Sequence, residues 1–171
     1  MDVDLSIVKE LRQKTGAGIM AVKKALDESG GNSDKAEEIL KEQGLANALK
    51  KSGRDTSQGV IQSYIHAGNK IGALVELKCE TDFVARTDDF INLAKDLAMQ
   101  VAAMGPLFIS KDDEGADKAS EEEILMSQDF IKDPSVKIED MIKSMISKVG
   151  ENVNISRITK FDLSWVKHNG T

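Results

Sequence analysis

The sequence predicts an α+β protein, in which an N-terminal three-helix bundle and a connector helix precede a small antiparallel sheet packed with helices. Three observations support this fold class. Apolar residues recur at helical spacing in residues 1–45, show a strand-like alternation in 58–66 and again in 71–79, and return to helical spacing at 88–103 and 138–149. Helices that follow a hairpin in this way are expected to pack on one side of its sheet.

Residues 1–45 are predicted to fold as three short helices. Apolar side chains recur every three or four residues in three runs, Leu5, Val8 and Leu11, then Ile19, Val22, Ala25 and Leu26, then Ala36, Ile39 and Leu40. Breaks that contain glycine are expected to end these helices at Thr15–Gly18, Gly30–Gly31 and Gly44. Asn32 or Ser33 is placed to cap the third helix. A bundle of this size is close to the lower limit for independent folding and is small for an active site.

The Gly16-Ala17-Gly18 turn invites comparison with a phosphate-binding loop. The signal is weak because no strand precedes the turn, no Lys-Ser or Lys-Thr pair closes it, and a full G-x-G-x-x-G is absent. A tight turn that lets two helices cross closely explains the glycines better. Met20 is expected to fill the core, with an adaptable interface contact as the alternative.

Residues 46–56 are helix-prone and basic, and they are predicted to form the connector helix. Beyond them, two alternating runs flank a turn at 67–69, which predicts an antiparallel hairpin. In the first run, Ile61, Ser63 and Ile65 share one face and Val60, Gln62 and Tyr64 the other. In the second run, Ile71, Ala73, Val75, Leu77 and Cys79 share one face. An α+β core domain is predicted over 57–165, followed by a tail of 166–171.

Two amphipathic helices and a last strand complete the predicted core domain. The first helix, 88–103, has Thr87 in position to cap it and Gly105-Pro106 to end it, with an apolar stripe of Phe90, Leu93, Leu97, Val101 and Met104. The acidic segment 111–123 predicts an exposed loop that leads into a turn capped by Ser120. A second helix carries Ile138, Met141, Ile142, Met145, Ile146 and Val149, and a strand at roughly 152–164 carries Val153, Ile155, Phe161 and Leu163.

The run Cys79–Arg86 forms the corner between the second strand and helix 88–103. It places a large aromatic, Phe83, beside Asp82 in a connection of the kind that lies on the surface and often carries function. Two interpretations of Phe83 stay open from the residues alone. The side chain plugs the end of the core, or it is presented to a partner.

Composition and charge exclude several function classes. The net charge of −6 argues against nucleic acid as the main ligand. The short basic runs at Lys23-Lys24 and at Lys50, Lys51 and Arg54 are typical of a solvated helix face, with a partner-steering patch as the alternative. One cysteine and two histidines exclude a disulfide framework and an ordinary zinc site. The sequence has neither a signal peptide nor a membrane-spanning run, which predicts a soluble cytoplasmic protein.

No catalytic arrangement is visible in the sequence. No Ser, Cys or Lys nucleophile stands with a histidine in a known motif, and no acidic pair has a recognisable setting. Cys79 falls on the apolar phase of its strand, so a buried, inert thiol is expected. His66, at the hairpin tip, is expected to be an exposed turn residue rather than a base. We therefore expect an adaptor or regulator without catalytic residues, metal or cofactor, rather than an enzyme.

Three motifs resemble those of one protein family. Thr15–Met20 (TGAGIM) with Lys23–Leu26 (KKAL) resembles the N-terminal ubiquitin-associated-like domain of translation elongation factor Ts. Thr81–Arg86 (TDFVAR) is similar to the second hallmark of that family, and Val149–Ile155 (VGENVNI) to the third. The motifs occur in the family's order and cover nearly the whole chain, which makes the resemblance specific.

The resemblance implies a guanine-nucleotide exchange factor that binds GDP-bound and nucleotide-free elongation factor Tu and performs no covalent chemistry. Asp82 and Phe83 would enter the partner's GTPase domain near its magnesium and phosphate site, with Val149 and Gly150 lining the same contact surface. Ile19, Met20 and Lys23 would contact another face of that domain, and His66 would contact the partner outside it. The implied partner-binding residues are Thr81, Asp82, Phe83, Val84, Val149, Gly150, Ile19, Met20, Lys23 and His66.

The chain departs from the family pattern in two ways. Ala21 and Val22 stand where an Asp-Cys pair is common, which is expected to weaken the bundle contact without abolishing it. Only one core unit is present, and the segment between Asp112 and Ser135 is too short for the family's protruding helical hairpin. Short members can compensate by forming a homodimer, for which the final strand offers an edge.

Two other function classes remain as alternatives. A ubiquitin-associated-like adaptor would bind a different protein through the bundle without releasing nucleotide. A small enzyme built around the Gly16-Ala17-Gly18 turn would itself bind nucleotide or substrate. Acceleration of GDP release from elongation factor Tu distinguishes all three.

Overall fold

The protein is described by a computed structural model over residues 5–164, except for the side chain of Leu45. The predicted tail at 166–171 lies outside these residues. Contacts divide the chain into two compact units, a bundle unit that contains the chain up to Asp55 together with Ile142–Val153, and a sheet unit that contains Thr56–Met141 and the chain from Asn154 onward. Across residues 5–164, no helix combines the length and apolar character needed to cross a membrane.

The bundle unit contains the three predicted helices, α1 (Leu5–Thr15), α2 (Ile19–Glu28) and α3 (Ser33–Lys51). Asn32 caps α3, since its Oδ1 accepts a hydrogen bond from the Lys35 N–H at 2.9 Å. The core of the bundle consists of apolar residues from all three helices, Val8, Leu11, Val22, Ala25, Leu26, Ala36 and Leu40. The second apolar run is thus buried except at its first residue, because Ile19 is 47% exposed.

The predicted end of the third helix at Gly44 is wrong, because α3 continues without a break to Lys51. Residues 46–51 are therefore the last turns of α3 rather than the start of a separate connector helix, and the chain is non-helical from Ser52 to Ser57. A glycine inside a helix costs about 1 kcal/mol relative to alanine but permits close approach of another element. A Cβ placed on Gly44 would lie 3.3 Å from Ser147 Oγ, so close approach explains this glycine better than a helix end.

The sheet unit is built on the predicted hairpin. Strands β1 (Gln58–Ile65) and β2 (Ile71–Cys79) pair antiparallel, with Val60 opposite Leu77 and Ser63 opposite Leu74. The sheet order is β1-β2-β5, so that β5 (Val153–Asp162) is an edge strand. Strand β5 also runs antiparallel to β2, since the Leu163 N–H donates to the Lys70 carbonyl at 3.0 Å and Arg157 pairs with Glu76.

Two helices follow the hairpin, the single turn α4 (Asp82–Ala85) and the long α5 (Asp88–Met104). The Thr87 cap is confirmed, because its Oγ1 accepts the Phe90 N–H, and Gly105 ends α5 in a left-handed conformation at φ 62°. Helix α5 packs on β1 and β2. The interior of the unit includes Ala73, Val75, Leu77, Phe90, Leu93, Leu97 and Val101. Met104 does not belong to this stripe, because the last turn of a helix has few neighbours and leaves it 47% exposed.

The remaining elements of the chain are short. The Ser120 turn is confirmed as a capping box with Glu123, and α6 (Ile138–Val149) matches the predicted second helix. A small hairpin, β3 (Asp129–Phe130) and β4 (Asp133–Lys137), was not predicted, because its Asp, Pro, Ser and Lys residues show no apolar alternation.

A buried amide pair connects the β3–β4 hairpin to α5. Gln100 Nε2 donates to Gln128 Oε1 at 3.0 Å and to the Asp129 carbonyl at 3.1 Å, and Gln100 Oε1 accepts the Ile131 N–H at 3.0 Å. Both glutamine side chains are buried. These bonds hold the β3–β4 hairpin against α5.

Candidate partner-binding sites

Phe83 lies on the outer side of α4. Thr81 caps this single turn, with Oγ1 accepting the Val84 N–H at 3.4 Å, and the buried side chains of Val84 and Ala85 hold the turn on the unit. Because successive residues of a helix point about 100° apart, Phe83 cannot share the inner side with Val84 and Ala85. Its side chain is 78% exposed. The interpretation of Phe83 as a core plug is therefore wrong.

Thr81 and Asp82 come directly before Phe83, and both are exposed. The Asp82 carboxylate pairs with Arg86 at 2.8 Å, one helical turn further on, and both side chains are largely exposed. Such an exposed pair contributes only about 0.3–0.5 kcal/mol, so a partner can replace Arg86 at little cost. Behind this surface, the buried thiol of Cys79 donates to the Thr81 carbonyl at 3.1 Å, which confirms that Cys79 is buried.

Ile19 and Met20 form an exposed apolar pair at the start of α2. Met20 is 77% exposed, so the expectation that it fills the core is wrong and the interface alternative remains. Both residues lie in the first turn of α2. Lys23, one turn further along α2, is half-buried.

Val149 and Gly150 mark the end of α6, in the bundle unit. Val149 is half-buried and Gly150 is exposed, with φ at 77°, a left-handed conformation that favours glycine. Two residues further on, Asn152 is 3% exposed. Sequence reasoning did not single out Asn152, because a buried amide can be recognised only after its backbone partners are placed.

His66 follows β1 at the hairpin turn, where it is exposed as predicted. Its N–H donates to the Ile71 carbonyl at 2.9 Å, and its Nδ1 lies 3.1 Å from the Tyr64 hydroxyl. Asn69 completes the turn at φ 55°. The imidazole is thereby presented at one end of the sheet.

The open face of the sheet is a further exposed surface that was not predicted. Five apolar side chains on this face are 44–79% exposed, namely Ile61, Ile65, Leu74, Phe161 and Leu163. Four of them line a cavity of about 410 Å³. Glu76, opposite Ile61, lies on the same face. Hydrogen bonds from Arg157 and Ser156 hold the pKa of its carboxyl group below the ordinary value, against the opposing effect of burial. The alternating pattern identified the faces of the hairpin but could not tell which of them helices cover.

The candidate residues divide between the two units. The sheet unit carries Thr81, Asp82, Phe83, Val84 and His66, and the bundle unit carries Ile19, Met20, Lys23, Val149 and Gly150. Val84 differs from the others because it is buried, so it supports the surface of α4 rather than forming it. Among residues 5–164, no three His, Cys, Asp or Glu side chains are grouped as metal ligands would be.

Comparison with known proteins points to one family. A family model described as "Elongation factor TS" matches residues 46–130. Proteins named "Elongation factor Ts" are similar over almost their full length. One from Herpetosiphon aurantiacus is 42% identical over 195 residues, covering 95% of this chain and 98% of the relative. One from Methylacidiphilum infernorum is 45% identical over 191 residues, covering 94% and 95%. One from Thermotoga maritima is 40% identical over 193 residues, covering 95% and 97%.

These alignments are longer than the chain itself, which has 171 residues. The relatives must therefore contain residues that this chain lacks.

Proposed function

The chain belongs to the elongation factor Ts family, and on that premise we propose that it is a guanine-nucleotide exchange factor for elongation factor Tu. It binds the GDP-bound form, promotes GDP release and remains on the nucleotide-free form, in the cytoplasm and during translation elongation. It performs no covalent chemistry of its own. The observation that best supports this proposal is Phe83, which is 78% exposed on a helical turn whose inner side chains are buried.

Phe83 and Asp82 act by insertion into the GTPase domain of the partner. The Phe83 ring enters between two partner helices near the magnesium and phosphate site, and Asp82 adds a carboxylate that leaves its weak pair with Arg86. The α4 turn that carries the ring is already formed in the free protein, so insertion has to order the side chain but not the backbone around it. Disturbing the contacts to magnesium and phosphate weakens the binding of GDP.

One inserted side chain cannot supply the whole effect. Burying a Phe contributes roughly 1.5–3 kcal/mol, whereas a decisive shift between two states takes about 5.5 kcal/mol of differential binding. The remainder comes from the rest of the interface, to which Ile19, Met20 and Lys23 of the bundle unit contribute. Exchange therefore depends on several contacts, of which Phe83 is the one nearest the nucleotide.

Thermodynamic linkage sets the order of release. If the factor weakens GDP binding by some ratio, then GDP with magnesium must weaken factor binding by the same ratio. The factor is consequently displaced when GTP binds. A factor of this kind acts catalytically on its partner without being an enzyme in the covalent sense.

Release of fluorescent GDP from elongation factor Tu tests the proposal directly. We expect substoichiometric amounts of the protein to accelerate release in the presence of excess unlabelled nucleotide. Unchanged release would contradict the exchange function. Binding of the partner without acceleration would instead favour the adaptor alternative, and nucleotide binding by the isolated chain would favour the enzyme alternative.

We also propose that the protein forms a homodimer. Strand β5 is a sheet edge, and the neighbouring open face exposes Ile61, Ile65, Leu74, Phe161 and Leu163. Edge strands and apolar faces of this kind are usually covered in a working assembly. Analytical ultracentrifugation at micromolar concentration is expected to show the mass of two chains, and a monomer would count against a dimer.

A further inference from the structure

The last turn of α6 lies unusually close to two other elements of the bundle unit. A Cβ placed on Gly16, in the α1–α2 turn, would be 3.2 Å from Lys148 Cβ. A Cβ placed on Gly44, in α3, would be 3.3 Å from Ser147 Oγ and 3.5 Å from Ser147 Cβ. Ordinary carbon contacts are about 3.5–4.0 Å. Neighbouring residues of α6 therefore touch two elements at positions where side chains would keep them apart.

The chain that follows α6 is held to the same unit by a buried amide. Asn152 Nδ2 donates to the Arg54 carbonyl at 2.8 Å and to the Ser52 carbonyl at 3.3 Å, and both acceptors come directly after α3. Asn152 is 3% exposed, so these bonds are shielded from water. Removing a buried donor leaves its acceptors unsatisfied at a cost of about 1–3 kcal/mol. The amide therefore fixes the path of the chain on the far side of Gly150.

These contacts place two candidate binding segments near each other. Ile19 is three residues from Gly16, and Val149 is adjacent to Lys148, while a Cβ on Gly16 would lie 3.2 Å from Lys148 Cβ. Three residues span at most about 11 Å of chain. A protein interface of standard size covers about 800 Å² on each partner, which is wide enough to include both segments.

We propose that Gly16 and Asn152 are positioning residues, which join the end of α6 to the bundle so that Ile19–Met20 and Val149–Gly150 form one rigid partner-binding surface. This inference rests on the proposed exchange function and goes beyond it. The resemblance treats the first 45 residues as a separate module, whereas here their surface is complete only with a segment about 100 residues later in the chain. A preformed surface loses less entropy on binding than two segments that must be brought together.

A disulfide across this junction provides the first test. The 3.5 Å separation at positions 44 and 147 is at the short end of the Cβ–Cβ range of disulfides, about 3.5–4.5 Å. The native Cys79 is buried and is not expected to compete. In the Gly44→Cys/Ser147→Cys variant we expect the bond to form on mild oxidation and exchange to stay within about twofold of the reduced form. Failure of the bond to form, or a loss of exchange that reductant restores, would overturn the inference.

The Asn152→Ala substitution provides the second test. A positioning role predicts that the KM for GDP-bound elongation factor Tu rises about tenfold, because both segments contribute to binding of the partner. Adding the oxidised 44–147 disulfide to Asn152→Ala should return KM to within about twofold of the parent, since the bond replaces the missing hydrogen bonds. An unchanged KM, or one that the disulfide does not restore, would count against a positioning role.

The two proposals fail in different ways. A parent protein that does not accelerate GDP release contradicts the exchange function itself. An active parent whose KM is insensitive to Asn152→Ala contradicts only the shared surface. The Asn32→Ala variant is the matched control, because Asn32 is an asparagine of the same unit whose bond caps the first turn of α3, at the opposite end of that helix from Ser52 and Arg54. It is expected to lower stability by about 1 kcal/mol and to leave KM unchanged.

Discussion

Replacing Asp82 and Phe83 together with alanine is expected to reduce the acceleration of GDP release by tenfold or more and to leave the midpoint of thermal unfolding nearly unchanged. Both side chains are mostly exposed, with Phe83 at 78%, so folding buries little of their surface. Their contribution arises when the partner buries them. Loss of a Phe contact worth roughly 1.5–3 kcal/mol corresponds to at least a tenfold change in rate.

A matched control makes this prediction specific to the α4 corner. Leu107 is another exposed apolar side chain of the sheet unit, at 68%, and lies outside the proposed binding residues. The Leu107→Ala variant should exchange nucleotide like the parent. Equal losses in both variants, or full exchange without Asp82 and Phe83, would show that the corner has no special role.

Local patterns predicted most elements of the fold. Helical periodicity located α1, α2, α5 and α6, and alternation on either side of a turn located the β1–β2 hairpin. Side-chain chemistry predicted a cap at Thr87 and one at Asn32 or Ser33, of which Asn32 forms it, since both patterns depend on residues within three positions of each other. These elements could be predicted because their signals are contained in a few consecutive residues.

Features that depend on distant residues could not be predicted in this way. Gly44 looks like a helix end until Ser147 is seen opposite it. Phe83 looks like core until α4 is placed on β1 and β2, with Val84 and Ala85 on its inner side. No periodicity marks Asn152 as a buried amide, because its acceptors at Ser52 and Arg54 lie about 100 residues earlier. At each of these positions, the deciding contact is with a part of the chain that periodicity does not describe.

The candidate site was only partly accessible to sequence reasoning for a related reason. The motif at Thr81–Arg86 identified the residues, but whether Phe83 points outward depends on how α4 sits on β1 and β2. The exposure of a side chain decides whether its substitution is expected to affect binding or stability. An exposed Phe in a motif is a candidate for binding, whereas a buried Phe in the next helix is a candidate for stability.

The Phe90→Ala substitution is expected to have the opposite consequence to loss of Phe83, although the two residues are seven positions apart. Phe90 is fully buried on α5, which packs on β1 and β2. Truncating a buried Phe removes its transfer free energy and leaves a cavity, which typically costs about 3–5 kcal/mol. Urea unfolding followed by circular dichroism should show a free energy of unfolding that is lower by this amount. The folded fraction at low temperature should still accelerate GDP release.

Leu107→Ala also serves as the control for stability, because Leu107 is 68% exposed in the same unit and should change the free energy of unfolding by less than about 0.5 kcal/mol. A small effect of Phe90→Ala would mean that α5 is not packed as described. A large loss of exchange per folded molecule would mean that Phe90 also determines the position of α4. Phe83 therefore contributes free energy when a partner binds, whereas Phe90 contributes free energy when the chain folds.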